Sequence, residues 1–437
     1  MNQYFFTHML LAGLAVLGAV WLVWMIGRYA APLRRLLRIA ALTIAVPPVV
    51  FYTSTLAMLP LWASVPWGVI VALAYRALRR HGIGRTTAIA GLGAYSVFHT
   101  WLFTCVFFAT SPGCEAVWRQ PGAVRLDSQP DTTMVAILQN RGEYGLDVDP
   151  EERFAYATYA HGGQLSGVVR VSLEKPGDTQ RVDLGARGIL HARFEPSTRR
   201  IYAVDHKNAE LYVLDADPFR LVQTVQMKVQ APMDLAFDPA AGQVLVIDRT
   251  EIADAPNPGD RFAGLVAFDL AAPGAPVGRY ALDNHPGANE IITVPGERRA
   301  FVTSEGFITL CAYDYASHTS QLLFTGIPGI GGGAVDAERR ELYLSHTIGL
   351  VQVRDVDRFD YKRTLFVRGA RAVTVDPVRK ALYVADFFNG RVKRVDPESG
   401  SVLGSVRVGV RMRQMKVLRD GRLLTASACG IGVLNPP

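Results

Sequence analysis

The pattern of hydrophobic and polar positions changes near residue 110. The first part of the chain consists of long apolar stretches with few polar interruptions. These stretches cover about 4–26, 39–58, 61–78 and 87–109. Each is close to the ~20 residues that a helix needs to cross ~30 Å of hydrocarbon. The pattern predicts a transmembrane domain of four helical spans over residues 1–110, followed by a polar linker over residues 111–131.

Residues 132–437 show short alternating segments that recur as a unit. In each unit a short strand ends at a turn, and a strand rich in aliphatic and aromatic residues follows that turn. The turns are centred on Asp149, Glu195, Asp238, Val294, Asp336, Asp376 and Arg419. Their spacing is 40–46 residues with one longer interval of 56, which is the period of a four-stranded propeller blade. The soluble part is therefore predicted to be all-β, as a seven-bladed β-propeller.

Closure of the propeller is also predicted from the pattern. The seventh repeat stops after its third strand, at 430–435, so one strand is missing. An unassigned strand pattern at Thr133–Leu138 precedes the first repeat. Pairing it into the last blade would remove two open sheet edges. Six blades with a loose end are the alternative.

Some of the repeats resemble a known type. The sixth contains Ala372–Pro377 (Ala-Val-Thr-Val-Asp-Pro), Ala381–Asp386 (Ala-Leu-Tyr-Val-Ala-Asp) and the basic segment Gly390–Gly400, and the second contains Ile201–Asp205 and Leu211–Asp215. These segments resemble YVTN/NHL-type propeller repeats over about 300 residues. The resemblance implies a propeller that serves as a binding platform, or as a lyase or lactonase with metals or histidines at its channel mouth.

Charge is distributed unevenly along the chain. Residues 1–110 contain eight arginines and no Lys, Asp or Glu, which leaves 46 − 8 = 38 basic and 39 acidic residues downstream. The near-neutral soluble part argues against a nucleic-acid partner. The arginines lie at 28–38 and 76–85, between predicted spans. The positive-inside rule then predicts an integral membrane protein, embedded in the lipid bilayer of the inner or plasma membrane, with its N-terminus and propeller extracytoplasmic.

Four cysteines occur without a CxxC pair, so they predict neither a disulfide framework nor a zinc site. Cys114 and Cys429 could pair if the compartment is oxidising. His8 and His99 lie in or near the predicted spans, which leaves a haem-binding redox or transport role for that domain as a further hypothesis.

Aligning the repeats by their turns indicates a candidate site. The residues four positions before each turn centre are expected at one level of the central channel; they are Gly145, His191, Asp234, Glu290, Gly332, Ala372 and Met415. His191, Asp234 and Glu290 fall in neighbouring blades and form a possible ligand set for a divalent metal ion. A merely solvated channel lining is the alternative.

Loops on the same side of the predicted propeller add candidate ligand-binding histidines. These are His161, His206, His285 and His346. An insertion at 249–261 would project from this side as a lid or as a plain surface loop. The glycine-rich segment 329–333 lacks a following helix and indicates close packing rather than phosphate binding.

No strong catalytic motif is present, and the sequence leans against an enzyme. The function it favours is a membrane-anchored extracytoplasmic propeller that acts as a scaffold or sensor, binding a protein or small molecule on its loop-bearing face. The alternative is a metal-dependent hydrolase or lyase of the lactonase-like or lyase-like propeller type.

Overall fold

The computed structural model describes the following residues: 114–127, 145–161, 164–186, 188–229, 231–249, 263–282, 287–304, 308–327, 329–346, 349–387, 389–410, 412 and 414–437.

Within these ranges the chain forms seven antiparallel sheets of four strands each, and each sheet is one blade. The innermost strands of blades 1 to 7 are β2 (Leu146–Val148), β6 (Ile189–Glu195), β10 (Pro232–Asp238), β14 (Ala288–Thr293), β18 (Ile330–Asp336), β22 (Ala370–Asp376) and β26 (Gln414–Val417). The second strands are β3 (Phe154–His161), β7 (Arg200–Asp205), β11 (Gln243–Arg249), β15 (Arg299–Ser304), β19 (Glu341–His346), β23 (Ala381–Asp386) and β27 (Leu423–Ser427). The predicted seven-bladed propeller is confirmed.

The third and fourth strands complete each blade in chain order. The third strands are β4 (Gln164–Ser172), β8 (Glu210–Ala216), β12 (Ala263–Asp269), β16 (Thr309–Asp314), β20 (Leu350–Asp355), β24 (Arg391–Val395) and β28 (Gly430–Leu434). The outermost strands of blades 1 to 6 are β5 (Thr179–Asp183), β9 (Phe219–Gln226), β13 (Gly278–Ala281), β17 (Thr319–Phe324), β21 (Tyr361–Leu365) and β25 (Val402–Arg407). That of blade 7 is β1 (Val124–Arg125).

The core lies between the blades, because each sheet is apolar on both faces. A tyrosine in the second strand of blade 2, Tyr202, is fully buried and packs against Val244 and Phe268 of blade 3. Tyr343 of blade 5 packs in the same way against Leu382 and Val384 of blade 6. The aromatic position of the repeat therefore stabilises the contact between one blade and the next.

The two sides of the propeller differ in what they carry. We call the side where the innermost strands begin the mouth face, and the opposite side, with the turns between first and second strands, the turn face. On the turn face, neighbouring blades are joined by ion pairs such as Arg199 with Glu151 and Lys380 with Glu338. These pairs are exposed, so each contributes little to stability.

The last blade is closed by a strand from before the first repeat, as predicted, but not by the predicted segment. The closing strand is β1, whose Val124 and Arg125 pair with Val433 and Gly432 of β28. Thr133–Leu138 lies outside the described residues. The sequence pattern missed β1 because two residues are too few to show alternation.

A short helix, α1 (Glu115–Trp118), precedes the closing strand and is fixed to blades 6 and 7. Cys114 and Cys429 form a disulfide with Cα atoms 5.2 Å apart, which confirms the pairing that the sequence left open. The Gln120 side chain accepts from the Arg407 amide at 3.0 Å and donates to the Arg407 carbonyl at 2.8 Å. Helix, disulfide and β1 together join the start of the described chain to its last blade.

The prediction of a four-span helical domain needs correction. No helix in the described ranges combines the length and the apolar character needed to cross a bilayer. The fold class of the described residues is all-β, a seven-bladed propeller. The four predicted spans themselves, and with them His8 and His99, lie outside the described residues.

Candidate functional site at the mouth of the channel

The innermost strands are irregular where they start at the mouth face. Pairing with the second strand shifts register between Ile189 and His191 in blade 2, and between Ala288 and Glu290 in blade 4. Blades 3, 5 and 6 shift at the equivalent place. Such bulges redirect side chains locally. They bring polar residues from different blades together at the mouth.

Asp234 is the centre of this cluster and is completely buried. Its Oδ1 accepts from Arg193 Nε at 3.1 Å and from the Leu235 amide at 2.8 Å. Its Oδ2 accepts from Arg193 Nη2 at 2.7 Å and from the Ile291 amide at 2.9 Å. A carboxylate offers about four lone-pair sites, and here four donors occupy them. Asp234 thus joins innermost strands of blades 2, 3 and 4.

His191 bridges blade 2 to blade 7. Its Nδ1 lies 2.9 Å from Gln414 Nε2 and 3.5 Å from Asp234 Oδ1. The Gln414 amide is oriented by its oxygen, which accepts from the Leu146 amide at 2.7 Å. Gln414 therefore presents its NH₂ group to the ring, and His191 Nδ1 accepts as a neutral imidazole.

Close approach at this point depends on Gly145 in blade 1. A Cβ at Gly145 would lie 2.9 Å from the Leu190 carbonyl oxygen and 3.0 Å from the His191 Cα. Any larger residue would push the two innermost strands apart. The glycine lets His191 of blade 2 reach Gln414 of blade 7 across blade 1.

Burial and the neighbouring charges set the protonation states in the cluster. Burial lowers the pKa of His191, and the nearby Asp234 only partly offsets this. Burial alone would raise the pKa of Asp234, but Arg193 and His191 outweigh it and hold that pKa below its usual range. At neutral pH the cluster contains an ionised Arg193–Asp234 pair and a neutral His191.

A second, similar contact joins blades 7, 1 and 2. Lys416 Nζ lies 3.2 Å from Asp147 Oδ1, and Asp147 Oδ2 accepts from the Phe194 amide at 2.9 Å. The arrangement matches that of Arg193 and Asp234. In both cases a cation of the first blade pairs with an aspartate of the second blade, and this aspartate accepts from a backbone amide of the third blade. Ion pairs and carboxylate–amide hydrogen bonds thus alternate along the innermost strands from blade 7 to blade 4.

On the opposite side of the mouth the packing is close. Glu290 is half-buried, and a Cβ at Gly332 would lie 3.3 Å from its Oε2 and 2.9 Å from the Arg371 carbonyl oxygen. Ser345 Oγ lies 2.6 Å from the Arg371 carbonyl oxygen, to which it donates, and 3.0 Å from the Gly332 carbonyl oxygen. The glycine-rich segment of blade 5 therefore serves close packing beside the channel, as its sequence indicated.

The expected metal ligands are brought to the innermost strands of neighbouring blades, where Gln414 engages His191 and Arg193 engages Asp234. The cation beside Asp234 is the Arg193 guanidinium, and a metal ion would have to displace it. In the part of the chain that the structure describes, no three His, Cys, Asp or Glu side chains are arranged to hold a metal ion. The geometry favours an internal ion pair at this position over a metal site.

Of the four candidate ligand-binding histidines, His206 lies in blade 2 and His346 in blade 5. His206 Nδ1 lies 2.9 Å from the Gly188 carbonyl oxygen in the loop between blades 1 and 2. His346 ends β19 and is fully buried, so its side chain cannot contact a ligand at the surface. His161 ends β3 at the mouth face. His285 and residues 250–261 of the predicted lid lie outside the described residues.

Sequence reasoning missed Arg193 and Gln414, which hold Asp234 and His191 in place. Only one position per repeat was compared, and Arg193 lies two residues beyond His191 while Gln414 comes one residue before the compared Met415. A buried aspartate in an innermost strand requires a cation or several donors. That requirement was the available signal, and Arg193 was the nearest cation in the neighbouring repeat.

Comparisons with known proteins support the fold alone. No family model matches the chain, and no curated protein is similar to it. Among solved structures, a chain of hydrazine synthase from Kuenenia stuttgartiensis is similar with a TM-score of 0.57 and 12% identity. The similarity covers 68% of this chain and 96% of that chain. It agrees with a β-propeller fold.

Proposed function

We propose that this protein is a non-catalytic binding module that holds a protein or small-molecule partner on the mouth face of its propeller. The observation that carries the proposal is the saturation of Asp234, whose oxygens accept four hydrogen bonds from Arg193, Leu235 and Ile291. A general base or metal ligand needs a lone pair that substrate or metal can reach. The Asp234 cluster at the mouth is instead committed to joining blades.

The mouth face is the better candidate surface because the longest interval between consecutive strands of one blade, from the end of β11 to the start of β12, opens on it. The turn face repeats similar short turns, and Asp149, Asp336 and Asp376 each cap theirs by accepting from backbone amides. The mouth face carries the loops between blades and those between second and third strands, which differ in length and composition. Loops on a rigid scaffold are where binding residues concentrate.

We further propose that the module works in an oxidising, extracytoplasmic compartment. The Cys114–Cys429 disulfide supports this, because such bonds persist in oxidising compartments and are rare in the cytosol. Alkylation of thiols in intact cells followed by mass spectrometry tests it. Both cysteines are expected to be protected from the reagent until a reductant is added, and free thiols at both positions would contradict the proposal.

Site-specific photo-crosslinking tests the binding surface. A photo-reactive amino acid replaces Lys207, exposed on the mouth face of blade 2, or Ala316, exposed on the turn face of blade 4. In cells that contain the full-length chain, the Lys207 position should give a discrete cross-linked adduct and the Ala316 position should not. Adducts from Ala316 alone, or from neither position, would contradict a mouth-face partner.

A further inference from the structure

A second group of charges lies at the mouth-face end of the seam between blades 5 and 6. Arg391 of β24 and Arg407 of β25 are register partners in neighbouring strands. Side chains directly opposite each other have Cβ atoms ~4.5–5.5 Å apart, and two like charges there repel. Both arginines are half-buried, which weakens the screening of that repulsion by water.

Lys393 adds a third positive charge on the same face of the sheet. It lies two residues after Arg391 and pairs in register with Ser405. Its Nζ donates to the Arg368 carbonyl oxygen at 2.5 Å, in the loop that enters blade 6. This contact places the group of cations in the seam between blade 5 and blade 6.

Asp386 is the acidic residue opposite Arg391 in β23, and it is already engaged. Its oxygens accept from the Asn389 amide at 3.0 Å, from Asn389 Nδ2 at 2.8 Å and from Lys393 at 3.1 Å. Arg391 Nη1 donates to Ser405 Oγ at 2.8 Å. The ion pairs of the described residues include one to Lys393 but none to Arg391 or Arg407. In this part of the described sheet, the buried carboxylate of Asp386 is thus accompanied by three cations, of which Lys393 is its ion-pair partner.

The propeller fold does not require cations at this place. The equivalent register pairs in other blades are Glu210 with Gln226, Gly264 with Ala281, and Thr309 with Phe324. The remaining pairs are Gly167 with Asp183 and Val351 with Leu365, and none of these five pairs contains Lys or Arg. The opposed arginines are thus a particular feature of blade 6 that packing and strand pairing do not explain.

We propose that Arg391 and Arg407 bind an oxyanion of the phosphate or sulfate type in the seam between blades 5 and 6. The two arginines stand at one register position of neighbouring strands, and an anion of this type accepts paired N–H donors from guanidinium groups. The bound anion would replace the repulsion between the arginines by two attractions. This site is separate from the Asp234 cluster and does not depend on the proposed binding function.

Thermal melting of the full-length chain in phosphate and in chloride of equal ionic strength tests the proposal. Phosphate should raise the melting temperature of the wild type by linkage, because only the folded state brings the two arginines together. Arg391→Gln with Arg407→Gln should abolish that rise. Lys228→Gln is the matched control, since Lys228 is exposed just after the outer strand of blade 2 on the same face.

Two further readings keep the test decisive. In chloride, Arg407→Gln should melt at or above the wild-type temperature, because it relieves like-charge repulsion. In titrations, each arginine removed should weaken phosphate binding about tenfold or more. Binding of O-phosphoserine as strongly as inorganic phosphate would point to a phosphate ester as the source, and preference for phosphate would point to the free anion. No effect of phosphate on the wild type, or an equal effect on the double variant, would overturn the site.

Discussion

Replacing Asp234 by alanine removes the residue that joins three innermost strands. The change leaves the Arg193 guanidinium without its carboxylate and the Leu235 and Ile291 amides without their acceptor. Breaking a buried ion pair costs ~3–5 kcal/mol, and the 22% exposure of the Arg193 side chain places this one near the lower end. The two amides add about 1–2 kcal/mol together. We expect a loss of about 4–5 kcal/mol in the free energy of unfolding.

Denaturant unfolding of the full-length chain, combined with hydrogen exchange, measures this loss. The amide of Ile291 should lose protection first, since Asp234 is its acceptor. A double-mutant cycle with Arg193→Met isolates the ion pair, and the two changes should cost ~2–3 kcal/mol less together than the sum of each alone. The matched control is Glu151→Ala, which removes an exposed ion pair with Arg199 and should cost less than ~1 kcal/mol. Additive costs in the cycle, with an Arg193→Met variant as stable as the wild type, would refute the reasoning.

Three other perturbations follow from the same geometry. Burial holds the pKa of His191 below its value in the unfolded chain, so the stabilisation that depends on a neutral imidazole is complete above ~pH 6.5 and is lost as the pH falls below that value. His191→Gln should therefore make the decrease in melting temperature between about pH 7 and 5 less steep. An unchanged pH profile would contradict this expectation. Cys114→Ser with Cys429→Ser should lower stability by about 2–5 kcal/mol and speed hydrogen exchange in β28, and added reductant should destabilise the wild type but not this variant. Gly145→Ala should lower the free energy of unfolding by about 1–3 kcal/mol, because the added Cβ would meet the backbone of Leu190 and His191. A variant that melts at the wild-type temperature would show that the strands are not in close contact there.

The repeat made the fold predictable from the sequence. Each turn fixes where an innermost strand ends, and the next apolar strand follows at a regular distance, so all seven second strands were located. The aspartate at the turn is informative because its carboxylate caps the turn, as Asp149 does for the Arg153 and Phe154 amides. Closure was less predictable, because the Val124–Arg125 strand is held by a disulfide and a helix rather than by its own pattern.

The candidate site was predictable only in part. Alignment placed His191 and Asp234 near each other, and the structure brings His191 Nδ1 to 3.5 Å from Asp234 Oδ1. Alignment could not show that Arg193 would reach Asp234, since that depends on side-chain direction at a bulge. Alignment of the repeats also could not identify the Ile291 amide as a donor, because a backbone amide can donate whatever the residue type at that position. Three metal-ligating residue types at one level are therefore weak evidence without knowledge of the donors around them.

Metal analysis tests most directly whether the Asp234 cluster at the mouth of the channel is an internal ion-pair network or a metal centre. The full-length chain, purified without chelator, is analysed for bound elements and then melted with added Ca²⁺, Mg²⁺ or Zn²⁺. The account predicts no stoichiometric metal and an unchanged melting temperature, because Arg193 already neutralises Asp234. It would be contradicted by one metal ion per chain whose stabilising effect is lost in His191→Ala but kept in His318→Ala, a change on the turn face.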